Sequence, residues 1–554
     1  MKQVLKNIFS ILNQREKQKL WMLAIADIFI SILDIGFLVA LLLVINFYTQ
    51  AAGTVSPKIF PAAIFNEQPV LLMAVFFGLF AMKNLFGFFI AKVQYHFVYD
   101  VASRLSKENL LKYLNGSYLD YVNIDSSIVN RKISQQPIEF CHYVLNGMQQ
   151  VFSQVILIVI SIIAILIFNP LLFPLLVLVL SPPVFLIAYF MKRKLDETRI
   201  QGKKTSEQSI QHLQEALTGF VESNIYNKNE FFTNRYHRSQ SKLNHYLAER
   251  HSILNIPPRL IEVFAIFGLF ALIVINHFTA HSSSIPLITI GAFMAAAYKI
   301  IPGIVKIMNA LSQVKTYAYS SEGFANEIRN AKNNSGNEAI RSIAFENISF
   351  SYPGKKILDA FSFRIERADM IGVSGLSGKG KTTIVHILLG FLNAEAGAVY
   401  INENIAGLER RQSYWNKITY IKQQPFFIHA SIIKNISLQE HEHDPEKIKR
   451  VIQITGLDKL ISDLPMGLET IITENGKNFS GGQRQRIILA RALYKDCDML
   501  ILDEPFNELD EASELAMLKQ LQAISNEGKM ILLITHNKTA LSFCNKKIDL
   551  DEQQ

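Results

Sequence analysis

A chain of 554 residues, 49% hydrophobic and only 19% charged, is too long for one core and too apolar for a single water-soluble globule. Its apolar residues crowd before residue 320, so a membrane part should precede a soluble part. The +9 formal charge sits largely beside apolar segments, where anionic headgroups attract it, and no basic-aromatic nucleic-acid module is present. Cys141, Cys497 and Cys544 are too far apart for a disulfide framework or a metal site and read as reduced packing residues.

Residues 1–19 place Lys2, Lys6, Arg15, Lys17 and Lys19 around Val4, Leu5, Ile8, Phe9 and Leu12, which predicts one amphipathic helix lying on the membrane surface. It lacks a small-residue cleavage site, so the first span should be retained. Apolar runs at about 20–48, 69–97, 141–168, 171–191, 254–278 and 285–314 each approach or exceed the roughly 20 residues needed to cross a bilayer. Six spans are expected. Only Asn169 and Pro170 separate the third and fourth, whereas the connections from second to third and from fourth to fifth are long and helix-forming. Those long connections carry Arg104, Lys107, Lys112, Arg131, Lys132, Lys192, Arg193 and Lys194, against little beyond Lys58 on the other side. Both termini are therefore expected in the cytosol, with spans that run well past the bilayer toward the soluble half.

Ionisable residues interrupt the spans at Asp27, Asp34, Lys83, Lys92, Arg259, Glu262, Lys299 and Lys306. Asp27 and Asp34, seven apart, share a helical face that should turn toward protein or water. Two readings stand for this set: a polar, substrate-facing cavity, or pairing between helices with snorkelling near the interfaces. Pro182-Pro183 and Pro302-Gly303 should kink the fourth and sixth spans.

The polar stretch 328–341 reads as a linker between a membrane domain, 1–327, and a soluble domain, 342–554. A strand from Ile343 to Tyr352 leads to a second, Met370 to Ser374, which runs into V-S-G-L-S-G-K-G-K-T-T, Val373 to Thr383. Glycines 375, 378 and 380 let backbone N–H groups converge on a polyphosphate at a helix start near Lys381. Lys381 would reach the terminal phosphates and the Thr382 hydroxyl would ligate Mg²⁺. Further on, Ser480-Gly481-Gly482-Gln483 opens a helix and forms a second anion-binding terminus. One nucleotide cannot easily use both from one chain, so two copies are expected head to tail, each cradle covered by the other's Ser480 loop. A buried strand, Met499 to Leu502, ends in Asp503-Glu504: Asp503 suits a Mg²⁺ contact and Glu504 a general base. The strand Met530 to Thr535 ends in His536.

This motif set resembles that of ATP-binding cassette exporter half-transporters, over nearly the whole chain. The resemblance implies an α-helical six-span transmembrane domain followed by an α/β P-loop ATPase domain. It makes Gly375, Ser377, Gly378, Gly380, Lys381, Thr382 and Thr383 part of the Walker A loop, Tyr352 the adenine-stacking aromatic and Gln423 the glutamine that senses Mg²⁺. Ser480, Gly481, Gly482 and Gln483 resemble the signature, Asp503 and Glu504 the Walker B pair, Asp510 the dimer-contact aspartate and His536 the switch histidine. By the same resemblance Glu504, His536, Gln423 and Lys381 are catalytic; Thr382, Gln423 and Asp503 attend the metal; Glu474 faces the intracellular loops. Coupling helices are expected near Tyr118 to Ile128 and Glu215 to Tyr226.

Three departures stand out: Phe479 before the signature serine, Lys422 where proline is common, and Asn507-Glu508 where small residues usually precede Asp510. The tail after the last strand is short, so no tail-mediated regulation is expected, and no protease domain precedes the spans. The implied activity is ATP- and Mg²⁺-dependent export or flipping of an amphipathic lipid, lipid-linked glycan or peptide across the cytoplasmic membrane. A homodimer would carry it out, with its nucleotide domains in the cytosol. The alternatives are a transporter-shaped sensor ATPase, or one half of a heterodimer.

Overall fold

The computed structural model describes residues 2–49, 69–256, parts of 258–274, 287–321 and 338–552, leaving out 117, 119–121, 123, 125, 169, 171, 353, 474 and 475. The chain divides into two compact units: residues 1–114 with 124–328, and residues 115–123 with 329–554. The Lys58 connection, Glu474, most of the linker and about half of the fifth run lie outside the described residues.

The first unit is helical. Helix α1 (Lys2–Ile11) stops short of the single helix expected over 1–19, and α2 (Gln14–Thr49) starts afresh. The break has a local cause: the Glu16 carboxylate reaches back to accept the Asn13 N–H at 2.8 Å, the return half of a capping box. Arg15, Lys17 and Lys19 therefore belong to the spanning helix. Helices α3 (Pro69–Leu114), α4 (Asn146–Phe168), α5 (Leu172–Thr218), α6 (Asn229–Leu254) and α7 (Leu287–Tyr317) follow. At 1.5 Å per residue α3 and α5 are each roughly 70 Å long, about twice the hydrocarbon thickness.

Among the described residues three stretches are long and apolar enough to cross a membrane: Gln14–Leu41, Met73–Leu114 and Ser126–Ile167. Helix α7 continues through Pro302, and α5 through residues 182–183. Small residues let α4 and α7 approach closely: a Cβ on Gly147 would meet Val314 at 3.0 Å, and one on Gly303 would meet Ile158 at 3.2 Å.

The unit's densest core gathers Ile8, Leu12, Phe97, Val101, Phe140 and Leu145, each worth roughly 1.5–3 kcal/mol when fully buried. Beside it lies buried Arg131, which donates to Glu207 at 2.8 Å and to the Tyr319 hydroxyl at 2.6 Å and lies 3.4 Å from Glu139. Two π-helical turns, Arg131–Gln135 and Phe140–Leu145, bracket this region. Asp34 takes two cations from other helices: Lys83 on one oxygen and Lys299, at 3.2 Å, on the other. For these three residues, pairing between helices is thus observed.

The second unit is built on sheets. Strands β1 (Ser342–Tyr352), β2 (Lys355–Glu366), β4 (Ala396–Ile401) and β5 (Asn404–Ile405) form an antiparallel sheet in the order β2-β1-β4-β5. Strands β3 (Met370–Ser374), β6 (Ile418–Ile421), β9 (Met499–Asp503), β10 (Met530–Ile534) and β11 (Lys546–Asp549) form a parallel sheet, order β11-β3-β10-β9-β6. Between them in sequence, β7 (Ala430–Ser431) and β8 (Ile471–Ile472) pair as a short ribbon. The runs M-L-I-L-D and M-I-L-L-I are buried throughout, as a central parallel strand covered on both faces must be. The Asn115–Asn123 segment goes with this unit: the Tyr118 ring stacks on Phe391 at 5.0 Å and meets His386 at 4.7 Å. Burial, with Lys422 adding repulsion, pushes the His386 imidazole down to about 4.

Candidate nucleotide site

The strand order decides which side chains meet. Strand β3 delivers the glycine loop at its carboxyl end, β10 delivers His536, β9 delivers Asp503-Glu504 and β6 delivers Gln423, and these four strands are consecutive neighbours. Parallel strands lie about 4.8 Å apart, so the groups that follow them line one edge in that order. Ligand sites in open α/β sheets form at such carboxyl edges.

The loop is shaped for close backbone approach. Gly380 has φ +100°, and a Cβ there would fall 2.8 Å from Ile357, so a side chain would be both strained and blocked. Helix α8 (Lys381–Leu388) begins directly after it and presents its free N–H groups at the loop. Lys381 Nζ donates to the Gly375 and Leu376 carbonyls and, at 2.9 Å, to His536 Nε2. An ammonium can only donate, so that ring nitrogen accepts and the imidazole proton resides on Nδ1. Thr382 is exposed on the first turn and Thr383 is buried. Tyr352 ends β1 with its ring 42% exposed and edge-on to Phe350 at 5.1 Å, so a ring face remains open to a planar ligand.

Glu504 is the most constrained residue of the edge. Its φ of 48° lies in the left-handed region, which costs a non-glycine residue roughly 1–3 kcal/mol and clusters at functional sites. Backbone bonds hold it: its N–H donates to Ile534 at 2.9 Å, and its carbonyl accepts from Gln485 Nε2 at 3.2 Å. Its carboxylate accepts from Gln423 Nε2 at 2.8 Å and Asn507 Nδ2 at 2.7 Å, both on Oε2, and Oε1 lies 3.4 Å from His536 Nε2. Lys381, His536, Glu504 and Gln423 thus stand side by side along this edge.

Asp503 is 8% exposed, and the Tyr420 hydroxyl donates to it at 3.5 Å. Burial, and then the charge of Glu504, push its carboxyl up to about 6. A buried carboxylate beside a second one, with Lys381 offsetting only part of their charge, has room for a further cation, and Mg²⁺, a hard cation taking oxygen ligands, fits that need. Asp503, Thr382 and Gln423 are the residues that would attend it.

The signature residues form a second cluster. Ser480 caps α9 (Gly481–Tyr494) in a complete capping box with Gln483. The Gln483 side chain is occupied there as a cap partner. Asp510 caps α10 (Glu511–Asn526), where Ser513, mainly through its hydroxyl, holds the carboxyl below the usual carboxylate range. Around Ser480, Gly481 and Asp510 opens a cavity of about 790 Å³. Glu508 closes on it: a Cβ at Gly481 would fall 1.8 Å from Glu508 Oε2, and Arg484 lies 3.3 Å from the same oxygen. Gln485 links the two clusters, since its Oε1 accepts the Glu508 N–H while its amide serves Glu504.

Asn507, Tyr420, Gln485 and Glu508 were not picked out as site residues from the sequence. Asn507 alone carried a signal, being a carboxamide three residues after the predicted base.

The profile described as the ABC transporter transmembrane region matches residues 20–297, and the ABC transporter profile matches residues 358–507. The chain belongs to the ABC transporter family. This ABC transporter is similar in fold to a bacterial Atm1-family ABC exporter solved with ATP bound, at TM-score 0.78 and 16% identity, over 96% of this chain and 94% of that one. A Rickettsia bellii protein whose name describes an export ATP-binding/permease is 34% identical over 214 residues, 38% of this chain and 37% of that protein. The Bacillus subtilis glutathione/L-cysteine transport system ATP-binding/permease protein CydD is 30% identical over 270 residues, 47% of each chain. An ATP-dependent lipid A-core flippase of Ralstonia nicotianae is 30% identical over 217 residues, 38% of this chain and 36% of that one. The matched stretches thus span less than half of these relatives' own lengths.

Proposed function

We propose that this ABC transporter exports or flips an amphipathic substrate across the cytoplasmic membrane as a homodimer, driven by ATP hydrolysis at two shared sites. The observation that carries this reading is the pair of anion-facing helix starts in one unit, at Gly380-Lys381 and at Ser480-Gly481. Each is half of a polyphosphate site, and a second copy placed head to tail supplies the other half. An exposed apolar tip at Leu217, Phe220, Val221, Ile225 and Tyr226 also calls for a partner surface.

In the proposed reaction Lys381 and the loop N–H groups hold the terminal phosphates, and Tyr352 stacks on the purine. Glu504, fixed by Gln423 and Asn507, takes a proton from the attacking water as the bond from the terminal phosphorus to the bridging oxygen breaks. His536 steadies that water and the transferred group. Bound Mg²⁺ would offset the charge that develops on the phosphate oxygens. Closure over two nucleotides turns the cavity outward and hydrolysis resets it. The nucleotide unit is assigned to the cytosol from the basic-residue asymmetry of the connections.

The test is ATPase activity of the full chain in lipid nanodiscs, screened against phospholipids, lipid-linked glycans and peptides, beside Glu504→Gln. Stimulation by one class, lost in Glu504→Gln while ATP still binds, supports the reading. Wild-type hydrolysis in that variant refutes the assigned base.

A further inference from the structure

Asp34, Lys83 and Lys299 come from α2, α3 and α7 and meet in one cluster, with Lys83 on Asp34 Oδ1 and Lys299 on Oδ2 at 3.2 Å. Each stands at the centre of its own apolar run: residue 34 in 20–48, residue 83 in 69–97 and residue 299 in 285–314. About 14 helical residues, roughly 21 Å, separate each from either end. A lysine side chain reaches only about 6 Å, so snorkelling cannot carry these charges to a headgroup layer. The cluster thus lies at the middle of all three apolar runs.

Its charges do not balance. Two ammonium groups share one carboxylate, which leaves one positive charge where an unpaired charge is most costly. The six apolar runs hold Lys83, Lys92, Arg259, Lys299 and Lys306 against Asp27, Asp34 and Glu262. Asp27 is seven residues from Asp34 along the helix, about 10.5 Å, and Glu262 is exposed. A second copy of the chain brings the same surplus, so dimerisation does not cancel it.

The two lysines differ. Lys83 is 7% exposed and lies 4.8 Å over the Phe80 ring, whereas Lys299 is 24% exposed. Phe80 in turn packs edge-on to Phe37 at 5.9 Å and stacks with Phe76 at 6.4 Å, which sets an apolar wall beside the surplus charge.

We infer that this cluster seats the anionic group of the cargo, a phosphate or carboxylate, an assignment that rests on the exporter reading and narrows its substrate class. Lys299 meets the anion, Lys83 holds Asp34 in place, and the phenylalanines take the tail. The carboxylate keeps the two lysines spaced between passages, so the anion is bound by one surplus charge rather than two and can leave.

The experiment uses the full chain in phosphatidylcholine nanodiscs, in about 1 M salt, where surface charge is screened within roughly 3 Å. Binding of dodecyl phosphate is compared with dodecyl phosphocholine, and glycerol phosphate serves as a tail-less competitor. Wild type should favour dodecyl phosphate about tenfold, the scale of one charge-assisted contact. Lys299→Gln leaves the neutral Lys83–Asp34 pair and should abolish that preference. Lys306→Gln, an exposed lysine of the same helix, should keep it, and Asp34→Asn should strengthen it. Competition by glycerol phosphate assigns the seat to soluble anions, and its failure to compete assigns it to lipid anions. No headgroup preference in wild type, or a full preference in Lys299→Gln, overturns the inference. Should Lys299→Gln not assemble, the wild-type comparison and Asp34→Asn decide alone. Anion-selective binding without ATP-driven movement would keep the seat and remove export. Movement of a zwitterionic lipid unaffected by Lys299→Gln would do the reverse.

Discussion

The nucleotide unit and the membrane unit handle buried charge in opposite ways. Around Glu504 the charge is held by Gln423, Asn507 and neighbouring backbone bonds, so this sheet edge has little freedom. Around Asp34 two lysines compete for one carboxylate, and the cluster is left one charge out of balance. A motor working on one fixed substrate gains from preorganisation. A carrier must bind and then let go, and an incomplete site suits that task.

The largest expected effect breaks the motor alone. Glu504→Gln should lower the ATP turnover number by roughly 10²–10⁴-fold, the usual worth of a general base, while anion binding at the Asp34 cluster stays intact; a turnover assay paired with dodecyl phosphate binding checks this. Next comes the scaffold: Leu532, fully buried at the centre of β10, changed to Ala should cost roughly 2–5 kcal/mol and lower the melting temperature of the nucleotide unit. Retention of the wild-type melting temperature would contradict the central place given to that strand.

Asp503 separates stability from function. Its folded carboxyl titrates at about 6, against an ordinary value of 3.8, so its contribution to stability is full below the ordinary value and lost as pH rises through 6. Asp503→Asn should therefore stabilise the protein by about 1–3 kcal/mol at neutral pH and abolish ATP hydrolysis. Thermal melts from pH 5 to 8, without nucleotide or divalent ion, should show the gain shrinking as pH falls; a gain that grows instead would reverse the assignment. Smallest is Glu508→Ala: removing an anion from the start of α9 should improve phosphate binding there by about 0.3–1 kcal/mol. ATP titrations should then show half-maximal turnover at a severalfold lower concentration, and an unchanged midpoint would deny Glu508 that influence.

What the sequence made legible follows from the range of the interactions. The cradle, the Ser480 cap and the strands ending at Asp503 and Ile534 are local patterns: glycines before a lysine, a serine three residues before a glutamine, a short run of apolar residues that ends in a polar group. Lys83, Asp34 and Lys299 were each visible as interruptions of apolar runs, but their meeting depends on the register of three helices, which no local pattern encodes. The break at Asn13 was missed because basic and apolar residues keep helical spacing across it, and only the reach of Glu16 marks it. Asn507 and Glu508 stood out as departures, yet what they touch is set by the fold of the loop between β9 and α10.

The two π-turns at Arg131–Gln135 and Phe140–Leu145 carry a consequence for how this chain tolerates length changes. In each, a backbone N–H reaches five residues back, Gln136 to Arg131 and Asn146 to Cys141, so each loop of helix stores one more residue than an α-turn. An α-helix rotates about 100° per residue. Deleting a single residue inside either turn would therefore let the rod rewind as plain α-helix with everything beyond it still facing the same way. The same deletion within the plain helix α4 would turn the rest of the third span by that angle and show its neighbours the wrong side. The π-turns are the places where this rod can lose a residue without a quarter-turn of a screw.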